Sequence, residues 1–78
     1  MTLNNSRVTG NNGFFGGGIE NRGTLTLNGN STVTGNTASD DGGGVYNSCG
    51  TLNGAVAGTG GNVFGNTPDD IFNDTSFC

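Results

Sequence analysis

Apolar and polar residues alternate along this chain in short bursts. Thr24-Leu25-Thr26-Leu27 alternates with a period of two, and so does Thr32-Val33-Thr34. Ile19-Glu20-Asn21 and Val45-Tyr46-Asn47 carry the same pattern in brief. Such alternation marks half-buried β-strands, whose successive side chains point to opposite faces. No stretch shows the period of about 3.6 residues that an amphipathic helix requires, so the pattern predicts short strands and no long helix. Gly-Asn and Gly-Gly pairs separate the bursts and supply the positive-φ positions of tight bends.

The bursts recur. Gly16-Gly17-Gly18-Ile19-Glu20-Asn21 returns as Gly42-Gly43-Gly44-Val45-Tyr46-Asn47, and a worn third copy reads Pro68-Asp69-Asp70-Ile71-Phe72-Asn73. The apolar member moves from 19 to 45 to 71 and the Asn from 21 to 47 to 73, a step of 26 residues each time. Ser6-Arg7-Val8-Thr9-Gly10-Asn11 matches Ser31-Thr32-Val33-Thr34-Gly35-Asn36. Val63-Phe64-Gly65-Asn66 is the third version, delayed by an insertion at Ala57-Gly58-Thr59-Gly60-Gly61. Repeats of this length mark units that cannot bury an apolar face alone and must stack on a neighbour. The expected fold is all-β: a parallel β-helix, or β-solenoid, forming one unit over 1–78. Its three coils of about 26 residues span approximately 1–23, 24–50 and 51–78, with three short strands and three bends in each.

Stacking such coils at about 4.8 Å sets equivalent residues above one another. Leu3, Leu27 and Leu52 are expected to form one interior column, Val8, Val33 and Val63 a second, and Ile19, Val45 and Ile71 a third. Asn21, Asn47 and Asn73 are expected to form one amide ladder, and Asn11, Asn36 and Asn66 another at a bend. Ladders of this kind satisfy polar groups that a narrow core would strand. Glu20, Tyr46 and Phe72 alternate to the outside, where the aromatics are expected to stack between coils.

Composition agrees with a stack and disagrees with a greasy globule. Hydrophobic residues make up 29% of the 78 positions, too lean for an ordinary core at this length. Only 10% are charged and there is a single Pro, unlike most disordered chains. The net charge is −4, with Arg7 and Arg22 as the only cations, which argues against nucleic acid and anionic membrane surfaces as partners. No apolar run approaches the ~20 residues of a spanning helix, and no signal-peptide pattern opens the chain. Without His, a His-containing zinc site and a His-based catalytic dyad are removed. Cys49 and Cys78 pair either within the chain or between neighbouring chains in an oxidising compartment, or remain two small thiols.

The run Gly16–Asn47 resembles the right-handed parallel β-helix repeats of bacterial surface proteins, among them autotransporter-like adhesins and polymorphic outer-membrane-protein-type repeats. Weaker copies extend the likeness over nearly the whole chain. The resemblance implies right-handed coils, a secreted or cell-surface location, and a scaffolding or adhesive role, and identifies no ligand; besides self, a glycan or a host or cell surface is the alternative partner. The chain departs from the outer-membrane pattern in lacking a Phe-x-x-Asn element, since Phe64-Gly65-Asn66 is one residue short.

Open solenoid ends are sheet edges that normally need capping, and no cap is legible at either end. Cys78 followed by a second molecule's Met1-Thr2-Leu3 would mimic Cys49-Gly50-Thr51-Leu52. The leading expectation is therefore a structural protein that stacks head to tail on itself into an extracellular fibre. The alternative is a repeat segment of a larger surface adhesin. A third reading, a polysaccharide-active enzyme, would use Asp40-Asp41 and Asp69-Asp70 as acid and base, but Asp41 and Asp70 fall out of register. No cofactor is expected, because the calcium nonapeptide and phosphate-loop patterns both match poorly.

Overall fold

A computed structural model describes residues 1–76 and Cys78. Among them the chain forms strands and no helix. The strands are β1 (Thr2–Asn4), β2 (Arg7–Thr9), β3 (Asn12–Phe15), β4 (Ile19–Asn21), β5 (Thr24–Asn28) and β6 (Thr32–Thr34). They continue with β7 (Thr37–Asp41), β8 (Val45–Ser48), β9 (Thr51–Asn53), β10 (Val63–Phe64) and β11 (Ile71–Asp74). Every pairing between them is parallel. Three sheets run β1-β5-β9, β2-β6-β10 and β4-β8-β11, and a fourth pairs β3 with β7. Each three-stranded sheet takes one strand from each third of the chain, so the second pass (24–50) lies between the first (1–23) and the third (51–78).

Register follows the apolar positions. Val8 pairs with Val33 and Val33 with Val63; Ile19 pairs with Val45 and Val45 with Ile71. The leucines behave differently. Leu3 pairs with Leu27, but Leu52 pairs with Leu25, so the expected column of Leu3, Leu27 and Leu52 is broken. β5 is long enough to hold two inward leucines; β1 matches its later half and β9 its earlier half. A slip of two residues keeps the same side chains inward, so burial does not oppose it. Leu25, outside every expected column, is fully buried.

The core is a file of Ile19, Leu25, Leu27, Val33, Val45 and Val63, with Leu3, Val8, Leu52, Ala55 and Ile71 half-buried against it. Burying one such side chain fully stabilises by about 1.5–3 kcal/mol. That file alone is thin, and the backbone ladders carry much of the order.

The glycine triplets are explained by closeness of approach. Gly16, Gly17, Gly18 and Ile19 each donate a backbone N–H to the second pass, at 2.9 to 3.1 Å, accepted by Asp41, Gly42, Gly43 and Gly44. A Cβ on Gly17 would strike the carbonyls of Thr37 and Gly43, and one on Gly43 would strike the Thr67 backbone. At the next step along the stack, Pro68, Asp69 and Asp70 replace the triplet. These side chains are tolerated because no described residue packs beyond them in the same way.

Candidate functional site

The two rims of the stack are built differently, and the difference begins with asparagine. In the corner column, Asn11 Nδ2 donates to Asn36 Oδ1 (3.1 Å) and Asn36 Nδ2 donates to Asn66 Oδ1 (3.0 Å). The backbone N–H groups of Asn11 and Asn36 reach the same two oxygens at 3.0 and 2.9 Å. In the strand column, Asn21 Nδ2 donates to Asn47 Oδ1 (2.8 Å) and Asn47 Nδ2 to Asn73 Oδ1 (3.0 Å). Backbone partners fix which amide atom is which: Asn36 Nδ2 also donates to the carbonyls of Val8 and Thr34. Both columns therefore point their donors toward the third pass. The exposed pair Asn28 to Asn4 runs the other way.

At the third pass the corner column ends on a carboxylate. Asp70 Oδ1 accepts from the Asn66 backbone N–H at 3.0 Å and from Asn66 Nδ2 at 3.1 Å. Those are the two bonds that a further asparagine oxygen would otherwise take. Nearby, the insertion folds back on the same rim. Val63 donates its N–H to the Val56 carbonyl (3.1 Å) and accepts from Gly58 N–H (2.8 Å), so Ala57 forms a parallel bridge to Val63. Asn62 ties the loop with bonds to Val56 N–H and to the Gly54 carbonyl. Val63 is consequently 0% exposed although it lies in an outer pass.

A third closure sits at the corner after β11. Cys49 and Cys78 form a disulfide within the chain, with Cα atoms 5.6 Å apart. Closing a loop of 29 residues stabilises by roughly 3–4 kcal/mol in the chain-entropy account. The Cys49 N–H also donates to the Asp74 carbonyl at 2.9 Å.

The first-pass rim has none of these closures among the described residues. No described group donates to Oδ1 of Asn11 or Asn21. Leu3 and Val8, the counterparts of buried Leu27 and Val33, are half-buried. Met1 and Phe14 are 67% and 65% exposed.

An aromatic flank runs along the outer face of β4-β8-β11. Tyr46 stacks on Phe72 with centroids 5.6 Å apart and planes 14° apart, and Phe15 meets Tyr46 at 5.0 Å. Tyr46 thus points outward yet is buried. Phe14 and Phe15 lie on β3. An open depression of about 510 Å³ lies beside the stack, lined by Phe15, Glu20, Arg22, Tyr46, Ser48 and Asp74. The Tyr46 hydroxyl donates to Asp74 Oδ2. Hydrogen bonds from Ser76 and then from Tyr46 lower the Asp74 carboxyl to about 2. The same bond, with burial, raises the Tyr46 phenol to about 12. Asp41 is raised by burial first and then by Asp40 and Asp69.

The four paired acids do not converge on one task. Asp70 is committed to Asn66, while Asp41 faces Asp40 and Asp69. No group of metal-ligating side chains occurs among the described residues. Comparison with family models, with curated proteins and with solved structures finds no match to this chain. Function is therefore read from the rims.

Proposed function

We propose that the chain is a structural module: a right-handed parallel β-solenoid of three coils that joins a longer stack through its first-pass rim and closes that stack at its third. Right-handedness comes from the resemblance of Gly16–Asn47 to surface-protein repeats. The observation that carries the reading is the replacement of a next asparagine by Asp70 on the Asn66 column. A head-to-tail fibre needs both rims free. Here Asp70 and the Val56–Gly58 segment already take the outward bonds of Asn66 and Val63 that a fourth rung would use. The rim geometry favours the alternative reading, a segment of a larger surface adhesin. The intrachain disulfide supports an oxidising, extracellular setting.

Sedimentation and negative-stain microscopy of the purified chain test this. The expected result is a discrete particle with dimensions near 31 × 22 × 18 Å and no filaments. Filaments growing from the chain alone would return the fibre reading.

A further inference from the structure

We propose that the first-pass rim packs against one parallel β-rung of the longer stack, not supplied by a second copy of this chain, and that donating asparagine side chains on that rung select it. The inference rests on the solenoid reading above and adds the identity of the partner.

Polarity is the argument. In both inner columns the Oδ1 of Asn36, Asn66, Asn47 and Asn73 accepts from the pass before it, and the Nδ2 of Asn11, Asn36, Asn21 and Asn47 donates to the pass after it. The first-pass rim therefore presents acceptors, Oδ1 of Asn11 and of Asn21. A second copy approaching rim to rim would set oxygen against oxygen, which repels. A second copy approaching with its third pass fares no better. Its Asn66 donors already serve Asp70, and both outward backbone groups of its Val63 already serve Val56 and Gly58. Docking there would require those bonds to Asp70, Val56 and Gly58 to be broken first.

The rung that fits is specified by how the second pass meets the first. Asn36 sends Nδ2 back to the Val8 carbonyl at 2.9 Å, so Asn11 is placed to do the same to an incoming rung. That rung needs an apolar-x-Gly-Asn corner, as in Val8-Thr9-Gly10-Asn11 and Val33-Thr34-Gly35-Asn36. The glycine of this corner is required by its backbone: Gly10, Gly35 and Gly65 have φ of 70°, 69° and 66°. The rung also needs a second Asn to donate to Asn21. It needs glycine opposite Gly17 and Gly18, because the same spacing already forbids a Cβ between Gly17 and Gly43. Its apolar residues would complete the burial of Leu3 and Val8.

The test adds a rung to the full chain. The sequence of residues 24–50, carrying Cys49→Ser, is fused ahead of Met1, and a second fusion carries Asn36→Asp and Asn47→Asp in the added rung. Backbone hydrogen exchange over Thr2–Asn21 is compared with the unextended chain. The Asn rung is expected to slow first-pass exchange by about tenfold or more. The Asp rung, which replaces amide donors with carboxylate oxygens, is expected to lose that slowing. Equal slowing by both rungs, or by neither, overturns the proposal, as does self-association of the unextended chain in sedimentation. Failure of the solenoid reading is seen separately, as unprotected Val33 and Val45 amides in the unextended chain.

Discussion

The first and third passes carry the same Val and Ile at matched positions, yet their outward edges differ. Val8 and Val63 both pair with Val33. Val8 is half-buried under an open edge, whereas Val63 is sealed by the chain's own insertion. Asn11 and Asn66 occupy the same corner, but Asn66 bonds to Asp70 and Asn11 Oδ1 has no described donor. The contrast lies in what each outer pass does with its outward polar groups. At this corner one carboxylate and one short loop take the outward hydrogen bonds of Asn66 and Val63.

The largest effect should come from treating the second pass as if it were the third. Gly43→Ala places a Cβ against the Thr67 backbone and is expected to cost about 3 kcal/mol or more in urea unfolding. Asp69→Ala, at the corresponding third-pass position, is expected to stay within about 0.5 kcal/mol. Equal losses at the two sites would mean that the third pass is as tightly packed as the second. A smaller contrast separates the rims directly. Val63→Ala, in a sealed site, is expected to cost about 2 kcal/mol, and Val8→Ala about 1 kcal/mol or less. Reversal of that order in denaturant melts would place the cover on the wrong rim.

The smallest effect concerns pH and the flank. Asp74 is lowered from 3.8 to about 2, so its contribution is full above pH 3.8 and lost as pH falls through about 2. Tyr46 is raised from 10.0 to about 12, so its contribution is full below pH 10 and lost as pH rises through about 12. Tyr46→Phe is expected to shrink both losses in melts recorded across pH, and unchanged profiles would detach the flank from folding.

Much of this was legible in the residues. Alternation placed Val8, Val33, Ile19 and Val45 inward, and the spacing of Asn21, Asn47 and Asn73 announced a ladder. What alternation reports is a face and not a partner, which is why Leu52 could pair with Leu25 without any signal in the pattern. The closure of the third pass was hidden for another reason. Asp69, Asp70 and the insertion all look like decay of a repeat when each copy is compared with the one before it. The bonds of Asp70 to Asn66 and of the insertion to Val63 are visible only once the passes are stacked. Tyr46 was expected outside and lies there, but Phe15, brought alongside by the pairing of β3 with β7, buries it.

The disulfide alters how the molecule bears load. Tension entering at Cys78 crosses the sulfur bridge to Cys49 and runs straight into the second pass, so β9, β10 and β11 lie outside the force path. The insertion and the Asn66–Asp70 bonds then keep their places while the chain is pulled. Load applied this way falls on the first and second passes, and the loop held by the bridge is spared.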